Sequence, residues 1–263
     1  MVPDITVANY WAHFATQLTT IRLATAGGVI YSDPSSGVAC LMDPTIAFHY
    51  PAYDTQTTNG GLASGQDVLI PLFIAIAEDN TGVVCPNCNK AAGTPVNQLI
   101  LTAEEDYFNG HITSQVSING NPVTAANGGV LDVDMCLDSG TNTEDLPTYH
   151  APSAAGQVDL HKSALFSLSL NGPVLNSSVY VPPQWPAGGA NGSTMVIGNH
   201  TSAASIGFWT VIPHSMGSSP GGGWLIGTDV IKYTTTWGVN SIGNCTAVKY
   251  KDYFTATVTY KVT

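Results

Sequence analysis

Two cysteines stand two residues apart in 83-VVCPNCNK-90, and Cys85 and Cys88 at that spacing could supply half a zinc site, a redox pair or a pinned loop. A structural zinc needs four nitrogen or sulfur ligands in a tetrahedron. Cys40, Cys136 and Cys245 each stand alone, with neither a second C-x-x-C nor an H-x-x-x-H to complete the set. A redox pair works at a helix N-terminus that lowers its thiol pKa. Cys88 is instead followed by NKAAGTP, a poor helix former. The pattern therefore favours a disulfide framework drawn from Cys85, Cys88, Cys40, Cys136 and Cys245. An odd number of cysteines leaves one for a link between chains.

Oxygen chemistry is concentrated in 132-DVDMCLDSGTNTED-145, where Asp132, Asp134 and Asp138 could offer hard ligands to calcium. The D-x-[DN]-x-[DN]-G order of an EF-hand is missing, so calcium stays an option beside a solvated acidic loop. The same acids, or Glu78, Glu104 and Glu105, could furnish a carboxylate pair for glycoside hydrolysis, but no spacing selects one. Ser215 in 213-PHSMG-217 imitates a nucleophile elbow. Pro213 replaces its first glycine, GSSPGGG replaces its helix, and no histidine follows His214. His49 and His200 sit beside aromatic or polar loop residues and read as ordinary histidines.

Three tryptophans fall in Gly-, Pro- or Thr-rich stretches: Trp185 in PPQWPAGG, Trp224 after GGG and Trp237 in TTTWGVN. Exposed rings there would form a carbohydrate-stacking platform or an assembly contact. Sequons place candidate glycans on Asn176, Asn191, Asn199 and Asn244, with Asn191 in the most loop-like setting.

Only 10% of the 263 residues are charged, with 7 Lys+Arg against 18 Asp+Glu and a formal net charge of −11. Arg22 is the single arginine. Such a chain cannot build the cationic face that nucleic acid or an anionic membrane requires. With 27 Gly and 16 Pro and many Ser, Thr and Asn, the composition is that of an extracellular or virion β protein. Met1 is followed by VPDITVANYW, which has neither the basic nor the apolar segment of a secretory leader. The longest apolar run, 68-VLIPLFIAIA-77, is too short to span a bilayer and reads as a buried strand.

The elements that must position these residues follow from periodicity. Val7, Tyr10, Trp11, Phe14, Leu18 and Ile21 share one face of an amphipathic helix over residues 6–22. Beyond Gly28, short apolar runs alternate with turn signals. Strands are expected at 29–32, 38–42, 45–50, 68–77, 97–102, 111–118, 164–170, 178–181, 194–198, 206–212, 224–233 and 253–263. A polar loop is expected over 54–66, and one short internal helix over 103–108, with Thr102 and Glu105 at capping-box spacing. Asn119-Gly120 marks a hairpin turn. The whole reads as one domain, residues 1–263: a β-sandwich or jelly roll of antiparallel strands with an amphipathic helix at its start.

The pieces 10-YWAHFA, 33-DPSSGVAC-40, 67-DVLIPLFIAIAED-79, 207-GFWTVIP-213 and 258-VTYKV-262 together resemble a group of uncharacterised secreted bacterial β-sandwich proteins. The R-x-C that such chains carry before a Pro-Ala-Gly turn is absent ahead of residue 67, so no disulfide pairing transfers. The resemblance implies a sandwich fold and export, and no reaction. The expectation is a non-enzymatic extracellular protein that assembles as a homo-oligomer or polymer into a sheath, fibre or coat. The alternatives are a virion capsid or spike protein, a carbohydrate-binding module using its loop tryptophans, and a secreted carboxylate-dependent hydrolase.

Overall fold

A computed structural model describes residues 2, 4–12, 27–42, 56–59, 62–79, 93–107, 110–135, 158–169, 200–240 and 250–262. The fold is mainly β, a sandwich built from twelve strands among those residues. In chain order they are β1 (Gly27–Ser32), β2 (Ala39–Met42), β3 (Gln56–Asn59), β4 (Val68–Asp79), β5 (Gly110–Ile118), β6 (Asn121–Pro122), β7 (Val130–Met135), β8 (Val158–Lys162), β9 (Phe166–Ser169), β10 (His200–Ile212), β11 (Val230–Asn240) and β12 (Tyr250–Lys261). Residues 4–12 form helix α1, and Val96–Tyr107 forms α2.

Hydrogen bonding runs β6-β5-β11-β12-β3-β1-β2-β4-β10-β8, with β7 on the edge of β5 and β9 on the edge of β10. Most pairs are antiparallel, as alternation predicts. The short strand β3 departs from this by pairing parallel with both β1 and β12, and β2 pairs parallel with β4. The path folds back so that β11 crosses over β4. There the Thr235 hydroxyl donates to the Leu72 carbonyl across 2.6 Å and meets Ser114 Oγ at 3.0 Å.

That crossing has a local cause. Pro71 has no N–H to give the ladder, and strands accept proline at bulges. The register of β4 against β10 slips there: Phe73 faces Phe208 and Pro71 faces Trp209, leaving Leu72 as the extra residue. The layer opposite, through Thr235, satisfies the Leu72 carbonyl.

Strands β4 and β10 are buried on both faces: Leu69, Ile70, Leu72, Ile74, Ala203, Ala204 and Ile206 are all fully buried. Continuous apolar runs suit such a position. Helix α1 seals one part of this core with an aromatic cluster. Tyr10 and Trp11 meet Trp209 edge-on at 4.8 and 6.0 Å, and Trp11 stacks on Phe166 at 4.8 Å. The helix begins at residue 4 rather than 6. Residues 13–22, with Phe14, Leu18 and Ile21, lie outside the described residues.

Helix α2 corrects two expectations. Residues 97–102 are helical, not a strand, and belong to the same helix as 103–107. Pro95 supplies the first turn, its carbonyl accepting from the N–H groups of Gln98 and Leu99. Leu99, Ile100 and Ala103 then fall on one buried face. Thr102 does not cap a helix; mid-helix, its hydroxyl donates to the Gln98 carbonyl at 2.8 Å.

Two further boundaries move. Strand β3 lies inside the stretch read as loop 54–66, and residues 224–229 form a turn before β11. The Asn119-Gly120 hairpin is as read: φ is 52° and 78°, and Ile118 pairs with Asn121. The expected strands at 45–50, 178–181 and 194–198 lie outside the described residues.

Candidate functional site

The outer face of the β5–β11–β12 layer is built by strict alternation. Ile112, Ser114, Val116 and Ile118 of β5 point inward and are buried, as are Ile231, Tyr233 and Thr235 of β11 and Tyr260 of β12. The residues between them therefore share the opposite, wet face. Register arranges them in three rows: Thr113–Thr236–Thr255, Gln115–Thr234–Thr257 and Ser117–Lys232–Thr259. Thr234 and Thr257 hydroxyls touch at 3.0 Å. Neighbouring strands lie about 4.8 Å apart and same-face residues about 6.8 Å apart along a strand, so hydroxyls recur on a regular grid. Lys232 is the single formal charge in the three rows. Gln115 turns its amide to the carbonyls of Val116, Val123 and Gly129, closing the gap where β6 gives way to β7.

The calcium candidates lie beside this face and are corrected. Asp132 and Asp134 stand on strand β7, opposite Thr113 and His111, rather than in an acidic loop. Asp132 Oδ1 is engaged by His111 Nε2 at 2.6 Å. Among the described residues no group of three or more His, Cys, Asp or Glu could hold a metal. Asp138 lies outside them. Of the other acids, Glu104 is buried on α2 with Lys162 Nζ at 3.2 Å. Glu78 sits on β4 opposite Ala203, and Glu105 is in α2.

At one end of the sandwich, residues 217–229 form a loop fixed from several sides. Asp229 is its anchor and is buried. It accepts from the Leu225 N–H at 2.7 Å, the Ser218 N–H at 3.0 Å, the Ser218 hydroxyl and the Asn119 amide at 2.7 Å. Burial raises the Asp229 pKa, but these donors outweigh it and hold the carboxyl below its ordinary value. Trp224 is corrected as a surface ring: it is 1% exposed. Its indole N–H donates to the Gln66 carbonyl at 2.7 Å and its backbone N–H to the Ser64 carbonyl at 2.9 Å. Gly223 (φ 115°) backs onto the Ser64 carbonyl, where any Cβ would collide. The loop thus holds Leu225 and Ile226 outward, 37% and 58% exposed.

Two more buried carboxylates do similar work. Asp33, in the DPSSG turn, accepts from Ser36, Asn9, Ser35 and Thr6, and so ties α1 to the β1–β2 turn. Burial pushes its pKa up, and those bonds bring it below the ordinary value. Asp79 accepts from the backbone N–H groups of Gly93 at 2.6 Å and Ser202 at 2.8 Å. Sequence reading passed over all three. The signal for Asp33 was present, since D-P-S-S-G is an Asx-turn sequence. Asp79 and Asp229 receive donors from distant segments that spacing does not reveal.

The remaining candidates separate. Trp237 lies within β11 opposite Ile112 and Phe254, not in a loop. Cys40 is corrected as a disulfide partner: it is a free thiol, fully buried on β2. Burial and then the charge of Asp33 push its pKa well up. Ser215 is exposed in the 3-10 turn His214–Met216, and His214 Nδ1 pairs with Asp67 Oδ1 at 2.7 Å. His200 opens β10. Cys85, Cys88, Cys136, Cys245, Trp185, His49 and the sequons at Asn176, Asn191, Asn199 and Asn244 lie outside the described residues. No helix among the described residues is long and apolar enough to cross a membrane. No protein-family model, no curated protein and no solved structure matches the chain.

Proposed function

We propose that this chain is a non-enzymatic structural subunit that self-associates in an extracellular layer such as a sheath, fibre or coat. The observation that carries the reading is the three-row hydroxyl face of β5, β11 and β12. Hydroxyls and amides can exchange water for a matching polar surface at small cost, whereas ions must be stripped of strong hydration. A broad face with one formal charge is therefore suited to lateral contact in a dense layer. A virion coat subunit is the near variant and rests on the same contact chemistry.

Light scattering and negative-stain microscopy at rising protein concentration test the proposal. Ordered oligomers or polymers are expected, weakened by Thr234→Glu with Thr257→Glu, which place like charges at neighbouring positions. A monodisperse monomer at every concentration refutes it. The same face favours a second reading, adhesion to an uncharged polysaccharide. Glycan-array binding that is lost in the Thr234→Glu, Thr257→Glu variant, with no self-association, would support that reading in place of the first.

A further inference from the structure

Among the described residues, four large apolar side chains stand well exposed, and they fall into two pairs. Leu225 and Ile226 are adjacent on the fixed loop. Ile5 (53%) lies on α1 and Leu165 (50%) between β8 and β9. The segments carrying the second pair are joined: Asp4, beside Ile5, reaches His161 at 3.2 Å, and Phe166, beside Leu165, stacks on Trp11.

We propose that Leu225 and Ile226 of one copy dock on the Ile5–Leu165 patch of a second copy, giving a head-to-tail contact; this rests on the assembly reading above. Two physical features select a second copy as the occupant. The chain carries a formal net charge of −11, so two copies repel except where charge-free surface meets. Residues 217–228 contain no Asp, Glu, Lys, Arg or His. Second, the loop is fixed before contact by Asp229, Trp224 and Gly223, so docking forfeits little conformational freedom. A contact between two different patches is heterologous, and repeating it yields an open chain rather than a closed pair.

The experiment compares wild-type protein with Ile226→Asp, Leu165→Asp and Leu165→Lys by sedimentation velocity over a wide concentration range. Ile226 and Leu165 are exposed, so thermal unfolding of each variant should match wild type. Either aspartate is expected to weaken self-association at least about tenfold, the scale of losing one buried apolar side chain. An equimolar mixture of Ile226→Asp and Leu165→Lys should recover part of it, because the two new charges attract. Assembly unchanged in both aspartate variants overturns the contact and leaves the assembly reading standing. Wild type that stays monomeric overturns both. Binding to phosphatidylcholine vesicles that needs Ile226, without self-association, also overturns it and assigns the loop to a lipid surface.

Discussion

Replacing Asp229 with asparagine is the sharpest probe of how the loop is held. The carboxylate is 1% exposed and takes donors from Leu225, Ser218 and Asn119. An asparagine keeps one acceptor oxygen but turns an NH2 toward groups that also donate. At least one backbone N–H and one side-chain donor are then left facing a donor. An unsatisfied buried polar group costs about 1–3 kcal/mol, and a bond to a charged acceptor contributes about 1.5–3. The expected loss is about 3–5 kcal/mol, a large share of the roughly 5–15 kcal/mol that stabilises a folded protein. Guanidinium unfolding followed by tryptophan fluorescence reads it. The midpoint should fall, and Trp224 should become accessible to a quencher. The pH dependence gives a second reading. The folded pKa of Asp229 lies below the unfolded value of about 3.9, so its contribution is fully present above that value. It is lost as pH falls through the folded pKa. Wild type should therefore lose stability below about pH 4 more steeply than Asp229→Asn. A variant within about 0.5 kcal/mol of wild type, with the same acid limb, would refute the anchoring role.

Trp224→Ala should destabilise by about 3–5 kcal/mol, as emptying a buried indole site does, and thermal unfolding checks it. Cys40 should resist thiol-specific reagents in the native protein and react once denatured, because burial and Asp33 disfavour its thiolate; mass mapping after timed labelling reads this out. Gly207→Ala should cost about 1–3 kcal/mol, since the added Cβ would meet Ile74 Cγ2 and sit 2.7 Å from the Phe73 carbonyl. A Gly207→Ala protein as stable as wild type would show that β4 and β10 can part at that point.

The legible parts of this fold were those set by local rules. Alternation in 253–263, the apolar run at 68–77 and the Asn119-Gly120 turn each carry their outcome in a few adjacent residues. The sandwich follows from their sum. Where the reading failed, a neighbour decided. Residues 97–102 have a strand-like apolar run, yet Pro95 starts a helix whose Leu99, Ile100 and Ala103 are buried in the core. Trp224 follows three glycines and reads as an exposed ring, until the carbonyls of Ser64 and Gln66 draw it inward.

By itself the sequence determined the charge-poor composition, the exclusion of polyanion binding and the two faces of its clearest strands, because these depend on residue type and period alone. Only the tertiary structure decided that Asp33, Asp79 and Asp229 are anchors, that Cys40 is a sealed thiol and that threonines from three strands form one grid. Each of those outcomes requires groups from distant segments to meet. Hydrogen-bond partners and cross-strand register are set by that meeting, not by spacing along the chain.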